Sequence, residues 1–239
     1  MAKEELENQT EELENEETKT EETGSGAPKS FVDFIEQNSR LLSIAGAALA
    51  LLIVGLLFFF LYYMPNRELK AQNDIYMAQF AFHADSFALA LNGRNTPGAT
   101  PFKGFLQVAD EYSFTKTGKL ARYYAGICYL RLKKYQEAIG QLEKANPKDP
   151  LVGAARLNAL GDAYAGLGKL EDAVRYYEKA AGYSDNEQYT PYYLFKTGLA
   201  YEKLGKKEDA LKCYQRIKDN YPNSDEGRDI QKYIARAGG

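Results

Sequence analysis

The feature that most constrains this sequence is a pattern of small and large residues between positions 157 and 181. The first half predicts one face of a helix, with residues at i, i+3, i+4 and i+7: Leu157, Leu160, Gly161 and Tyr164. Gly168 predicts a turn, and a second buried helix face follows at Ala173, Tyr177 and Ala180. Because Gly161 and Ala173 lack bulk, two antiparallel helices can approach closely there while larger residues fill the flanks.

One helical hairpin cannot bury its apolar face alone, so this pattern requires neighbouring copies. Two copies are present, AGICYLRLKKYQEAIGQLEKANPKDP upstream and TGLAYEKLGKKEDALKCYQRIKDNYP downstream. The equivalent alanines Ala138, Ala173 and Ala210 lie 35 and 37 residues apart. The spacing and the order Leu-Gly, Tyr, Ala, aromatic, Ala closely resemble the tetratricopeptide repeat, a helical hairpin of about 34 residues. The resemblance implies an all-α solenoid of stacked hairpins.

The repeat register also assigns the segments on either side. A helix is expected to begin after Pro65 with Asn66 as its cap and to end at Asn92-Gly93, before a loop. PFKGFLQVADEY matches the second helix of a repeat, and SDEGRDIQKYIARA matches a first helix with no second helix behind it, as in a solenoid cap. We therefore predict a repeat domain over 64–239, with a degenerate hairpin at 66–114, repeats at 118–150, 154–187 and 191–222, and a capping helix at 224–237.

The N-terminal region has a different composition. Residues 1–40 carry twelve acidic and four basic side chains, whereas residues 64–239 carry 21 acidic and 26 basic ones. Residues 1–30 hold too few apolar side chains to offset the entropy of ordering, so we predict a disordered acidic tail. A functional alternative is an acidic interaction arm. Residues 31–40 predict a short amphipathic juxtamembrane helix.

Residues 41–63 form an apolar run of 23 positions without a charge. As a helix the run would extend about 34 Å, enough to cross a bilayer core, so we predict a single transmembrane helix. A cleavable signal peptide is the competing interpretation, but the run is too long for one and no small-x-small cleavage site follows. Ser43 with Ala47, and Gly46 with Ala50, could also seat a partner helix.

Flanking charge does not decide the orientation of this span. Lys29 and Arg40 before it are balanced by Arg67 and Lys70 after it. A hydrophilic leader without a cleavable signal is compatible with a cytoplasmic N-terminus and a translocated repeat domain. We therefore predict that the N-terminus stays in the cytoplasm while the span inserts.

The sequence offers little material for catalysis. His83 is the only histidine, so it has no second imidazole with which to build a metal site or a proton relay. Cys128 and Cys213 belong to different repeats, which should hold them too far apart for a disulfide. No phosphate-binding glycine motif, nucleophile elbow or basic stripe is visible. We predict no catalytic, cofactor-binding or metal site, no enzyme activity and no nucleic-acid binding.

The family resemblance implies that the first helices of the repeats line a groove for a protein partner. It assigns to that groove Leu120, Tyr123, Ile127, Leu130, Asn158, Asp162, Ala165, Tyr192, Phe195, Leu199 and Glu202. Tyr123, Tyr192 and Phe195 could anchor a partner segment, or could only pack against neighbouring helices. Family members that grip a chaperone C-terminus use Lys and Asn where this groove has Tyr123, Ile127 and Asn158, so that clamp is not expected.

The order of acidic leader, single span and repeat hairpins resembles the YfgM-type ancillary subunits of the SecYEG translocon and related anchored repeat proteins of Bacteroidetes envelopes. The resemblance implies an inner-membrane protein with its repeat domain in the periplasm. It also implies a scaffold that recruits periplasmic chaperones or emerging chains near the translocon. The YPNS repeat end, residues 221–224, is similar to assembly factors of outer-membrane biogenesis or cell division, which are the alternative.

Overall fold

A computed structural model of the chain describes residues 34–35, 37–183 and 185–238. The predicted acidic tail, residues 1–30, lies outside these residues, as does part of the predicted amphipathic segment 31–40. The chain divides into two compact units, Met1–Phe59 and Phe60–Gly239. The described part is almost entirely helical.

The described part of the first unit is dominated by helix α1, Ser39–Phe58, which buries none of its residues. A π-helical turn follows at Phe59–Tyr63. Helical residues Ser39–His83 contain a segment long and apolar enough to cross a membrane, and none of that segment is covered by protein. A candidate membrane span therefore occupies the region in which the sequence predicts one.

The second unit contains helices at the positions expected for stacked hairpins. Their bounds are α2 Met64–His83, α3 Phe87–Asn92, α4 Phe105–Glu111, α5 Lys116–Arg131, α6 Tyr135–Lys144, α7 Pro150–Gly166, α8 Leu170–Ala181, α9 Thr190–Lys203, α10 Lys207–Asn220 and α11 Asp225–Ala237. Helices α5–α6, α7–α8 and α9–α10 form antiparallel pairs, and α11 packs on α10. The fold is an all-α stack of helical repeats with a C-terminal cap.

The N-terminal segment differs in detail from the expected hairpin. Asn66 lies inside α2 and not at its cap, because the helix already begins at Met64 with Pro65 in its first turn, where a missing N–H is tolerated. The chain then turns at Asp85, whose φ is 53°, so one predicted helix becomes α2 and α3. The predicted loop contains a short antiparallel ladder, β1 Gly93–Arg94 with β2 Phe102–Lys103.

The turns inside the three hairpins share one backbone geometry. Lys133, Gly168 and Gly205 occupy the same left-handed position, with φ values of 58°, 75° and 74°. In each turn the next residue donates its N–H to a carbonyl oxygen of the preceding helix, as Lys134 does to Tyr129 at 2.8 Å. Of the three turns, only the first carries a side chain at this position. L-residues with a Cβ disfavour the left-handed region, so the backbone of Lys133 is strained.

Replacing Lys133 with glycine is therefore expected to stabilise the repeat unit. Removing a Cβ from the left-handed region should raise the free energy of unfolding by about 1 kcal/mol, partly offset by the greater freedom of glycine in the unfolded chain. Urea denaturation followed by circular dichroism measures the change. Lys134→Gly is the control, because Lys134 has a negative φ of −91° and gains nothing from glycine. A Lys133→Gly protein less stable than the wild type would contradict the expectation.

Small residues and rings interlock where the paired helices cross. A Cβ added to Gly161 would lie 2.4 Å from the ring of Tyr177, and one added to Gly198 would lie 2.4 Å from the ring of Tyr214. Both rings are buried. The same relation joins Gly126 of α5 to the side chain of Leu142 in α6. Each glycine in the first helix therefore provides the space that a large side chain of the second helix fills.

A carboxylate from α2 caps the first complete repeat. Glu68 accepts hydrogen bonds from the Lys116 N–H at 2.8 Å, from the Thr117 N–H and from the Thr117 hydroxyl at 2.6 Å. These donors lie in the first turn of α5, where helical N–H groups have no intrahelical partner and a negative charge is stabilising. Burial by itself would raise the pKa of Glu68, but these hydrogen bonds outweigh it and the pKa lies below its ordinary value.

Glu68 should accordingly make stability depend on pH. Because its folded pKa is lowered, its contribution is fully present above the pKa of an unfolded glutamate, about 4.3, and is lost as the pH falls through the folded pKa. We expect Glu68→Gln to lower the free energy of unfolding by about 1–2 kcal/mol at neutral pH and by much less in acid. Urea titrations at several pH values measure this, with the exposed Glu143→Gln as control. An equal loss at every pH would disagree with the predicted role of the charge.

Helix α11 closes the other end of the stack. Ser224 caps it by accepting the Gly227 N–H at 2.9 Å, and Ile230, Ile234 and Ala237 form its buried face. Its Tyr233 ring lies edge-on to Phe195 of α9, with centroids 4.7 Å apart. The cap therefore covers apolar side chains that the last complete hairpin would otherwise leave in water.

Candidate partner-binding groove

The groove residues of α5 are only partly accessible. Leu120, Tyr123, Ile127 and Leu130 are all half-buried, and the last three pack against the core shared with α6, α7 and α9. Burial raises the pKa of Tyr123 to about 12, so its hydroxyl stays neutral at physiological pH. On this helix the predicted groove residues contribute at least as much to packing as to an open surface.

The groove residues of α7 include a polar connection to α9. Asp162 accepts a hydrogen bond from the Tyr177 hydroxyl at 2.6 Å and forms an ion pair with Lys196. The Lys196 ammonium also lies 4.8 Å from the Tyr177 ring centroid and 5.3 Å from that of Tyr192. Burial and the Asp162 carboxylate raise the pKa of Tyr177 above its ordinary value. The Oδ1 atom of Asp162 is thus engaged within the protein by two neighbouring helices.

Asn158 is the polar residue of α7 without such a connection. Its side-chain oxygen is covered by protein and has no hydrogen-bond partner among residues 34–35, 37–183 and 185–238. Ala165, one turn beyond Asp162, is half-buried. Neither residue presents a charged group to a ligand.

The groove residues of α9 fall into two groups. Phe195 packs on Tyr233, and Glu202 forms an ion pair with Arg236 at 2.5 Å, so both are engaged by the capping helix. Leu199 is half-buried. Tyr192 differs, because 40% of its surface remains exposed. Of the three predicted aromatic anchors, Tyr192 is the one that a partner can reach without displacing a helix.

Tyr192 lines a cleft that the sequence does not predict. Its walls come from the segment before α9 and the start of α11, and the cleft has a volume of about 630 Å³. Its lining residues are Glu187, Gln188, Tyr189, Tyr192, Asn223, Ser224, Asp225 and Glu226. Asp225 already pairs with Arg228. The carboxylates of Glu187 and Glu226 beside two phenol rings suit a cationic side chain, which can pair with the acids and stack on the rings.

Comparison with known proteins identifies the repeat family of the three hairpins. Models of the tetratricopeptide repeat family match residues 120–146 and 192–224, and another model of the same family matches residues 154–187. These segments are tetratricopeptide repeats. The matched residues span the pairs α5–α6, α7–α8 and α9–α10, with the last match extending to the start of the capping segment. Repeats of this family generally mediate protein–protein interactions and are generally not enzymes.

Among solved structures, the chain is similar to the nearly identical tetratricopeptide-like repeats of a kinesin light chain from Podosopora anserina. The sequence identity is 15%, the match covers 73% of this chain and 84% of that one, and the TM-score is 0.48. No curated protein matches the chain.

The two cysteines of the tetratricopeptide repeats are free thiols. Cys128 is buried and Cys213 is half-buried, and burial raises their pKa values to about 12 and about 11. Both therefore remain protonated near neutral pH, which makes them poor nucleophiles. Across the described part of the chain, no group of three or more His, Cys, Asp or Glu side chains could hold a metal ion.

Proposed function

We propose that this chain is a membrane-anchored tetratricopeptide scaffold that recruits protein partners at the cell envelope, next to the Sec translocon. The observation that carries the anchor is the apolar segment of Ser39–His83, none of which is covered by protein. Apolar surface of that extent is unstable in water, and a bilayer core of about 30 Å matches its length. The repeats supply the scaffold, because such repeats generally bind proteins.

The scaffold has a defined chemistry at its accessible end. Tyr189 and Tyr192 with Glu187 and Glu226 favour a partner segment that carries lysine or arginine beside an apolar residue. Periplasmic chaperones and emerging chains are the partners we propose. The low thiolate content of Cys128 and Cys213 is compatible with the oxidising periplasm, where exposed thiolates are oxidised.

The alternative, an assembly factor of outer-membrane biogenesis or cell division, drew on the YPNS segment. The structure gives two of its residues local roles. Tyr221 donates its hydroxyl to Asp185 at 2.5 Å, and Ser224 caps α11. These contacts give the segment a structural role, so the segment does not by itself favour the alternative.

Photo-crosslinking from position 192 tests the partner. A crosslinking amino acid is placed at Tyr192 and, as control, at Lys218 on the exposed face of α10, and captured proteins are identified by mass spectrometry. We expect translocon subunits or periplasmic chaperones from position 192 and not from position 218. Recovery of only outer-membrane or septal components would favour the alternative and reject the Sec proposal.

Protease protection tests the topology. We propose a cytoplasmic N-terminus and a periplasmic repeat domain, so protease added to spheroplasts should digest residues 66–239 while an epitope on the tail survives. The unfolded domain must be shown to be cleavable in the same assay. A repeat domain that is digested only after the inner membrane is lysed would be cytoplasmic, and the translocon proposal would be wrong.

A further inference from the structure

A second cleft lies at the opposite end of the repeat unit, close in sequence to the apolar segment. It has a volume of about 910 Å³ and brings Phe60 and Met64 together with residues of the α4–α5 turn and the α6–α7 loop. Phe60 belongs to the predicted span, residues 41–63. If that span crosses a bilayer, this cleft must therefore lie at the level of the lipid headgroups.

The basic side chains of this cleft are available for a ligand. Lys116, Lys119 and Lys148 line it, and none of them forms an ion pair with a carboxylate in the described ranges. The two acidic side chains of the lining already accept hydrogen bonds from backbone N–H groups. Glu68 caps α5, and Asp149 caps α7 by accepting the Val152 N–H at 3.0 Å. Three ammonium groups without an ion pair among the described residues therefore stand against two carboxylates that are already hydrogen-bonded, which favours an anionic ligand.

Large apolar side chains flank these lysines. Phe114 is 83% exposed and Leu151 is 44% exposed, although both belong to a unit with a well-packed core. Phe114 lines the cleft itself, and Leu151 lies in the first turn of α7. Exposed aromatic and aliphatic side chains beside lysines are typical of surfaces that enter the headgroup region, where the rings reach the acyl boundary and the amines stay with phosphates.

We infer that this cleft binds the headgroups of anionic phospholipids in the bilayer that holds the span, with Phe114 entering the interface beside them. The inference rests on the proposed membrane anchor. Charge selects the occupant, because juxtamembrane lysines attract anionic lipids. The contact would hold the first repeat against the membrane surface and leave the acidic cleft around Tyr192, at the other end of the stack, for the partner.

A tryptophan at position 114 gives a direct test, because the chain contains no tryptophan. Phe114→Trp full-length protein is reconstituted into vesicles of phosphatidylcholine with brominated acyl chains, with or without phosphatidylglycerol. Bromine quenches indole fluorescence only at short range, so quenching reports entry of residue 114 into the bilayer. We expect about twofold stronger quenching when phosphatidylglycerol is present, since each lysine near the surface adds attraction.

Two sets of lysine variants in the Phe114→Trp protein show whether the cleft is responsible. Lys116→Gln, Lys119→Gln and Lys148→Gln together should abolish the gain from phosphatidylglycerol. Lys203→Gln, Lys207→Gln and Lys218→Gln, which remove the same charge from exposed positions in the last repeat, should leave it intact. Far-UV circular dichroism verifies that both variants are folded. The inference would be overturned if phosphatidylglycerol did not increase the quenching. It would also be overturned if the increase persisted in the variant that lacks Lys116, Lys119 and Lys148.

Alkaline extraction of the same vesicles separates this inference from the anchor. If the chain stays with the vesicles but its quenching does not depend on phosphatidylglycerol, the membrane anchor is supported and the lipid-binding cleft is rejected. If alkaline extraction removes the chain from the vesicles, both the membrane anchor and the lipid-binding cleft are rejected.

Discussion

Replacing Gly161 with leucine is expected to disrupt the middle tetratricopeptide hairpin. The new side chain would begin 2.4 Å from the ring of Tyr177, closer than carbon atoms can approach. That ring cannot swing away easily, because it is buried and its hydroxyl donates to Asp162. Overpacking of a core costs about 1–3 kcal/mol, and loss of the polar contacts of Tyr177 should add to it. We expect the free energy of unfolding to fall by about 3–5 kcal/mol.

Urea denaturation of the full chain in detergent, followed by circular dichroism, measures this loss. Gly140→Leu is the matched control, because Gly140 also lies within a helix, α6, and a Cβ there meets nothing within 4 Å. That substitution should be neutral or stabilising by up to about 1 kcal/mol, since leucine favours helices more than glycine does. Equal stability of the two variants would refute the close crossing of α7 and α8 at Gly161.

A similarly large loss is expected when the cap is made polar. Ile230 and Ile234 lie on the buried face of α11 at 2% and 5% exposure. Each isoleucine lost from a core costs about 2–5 kcal/mol, and an unpaired carboxylate cannot remain in such a site. Ile230→Asp with Ile234→Asp should therefore detach α11 and leave Phe195 and Tyr214 in water.

The exposed face of the same helix supplies the control. Gln231 and Ala235 have the same spacing as the two isoleucines but face solvent, so Gln231→Asp with Ala235→Asp adds the same number of carboxylates without removing buried surface. The first pair should lower the melting temperature by more than 10 °C, given that about 1 kcal/mol corresponds to several degrees. It should also increase binding of a hydrophobic dye. Equal melting temperatures of the two double variants would show that α11 does not stabilise the stack.

The hairpins could be predicted from sequence because their decisive contacts are local. Gly161 and Tyr177 lie sixteen positions apart, and the pairing of a glycine with a large side chain recurs in each repeat, with Leu142 in the first and Tyr214 in the third. The division between α2 and α3 could not be predicted in the same way. Asp85 takes a left-handed conformation there without the glycine that usually marks it, so the apolar periodicity continues through the turn.

The candidate site was less predictable, because accessibility depends on which helices lie over each residue. Tyr192 and Phe195 share one helix face by sequence, yet Phe195 is covered by Tyr233 and Tyr192 is not. The cleft around Tyr192 joins residues 187–192 to residues 223–226, a relation set by tertiary packing. The acidic residues in both segments are visible in the sequence, but only the folded structure shows that the two segments line one cleft.

The bond between Glu68 and α5 has a consequence for the order in which the protein folds during synthesis. Each complete hairpin closes within about 35 residues of chain, so its second helix meets the first soon after it is made. Glu68 can form its hydrogen bond with Thr117 only after 49 more residues have been synthesised. At about 5–20 residues per second, that delay is roughly 2–10 seconds. The Glu68 carboxylate of helix α2 thus stays without these partners until α5 is made, whereas Asp74 of the same helix can already bond to Lys103, 29 residues after it.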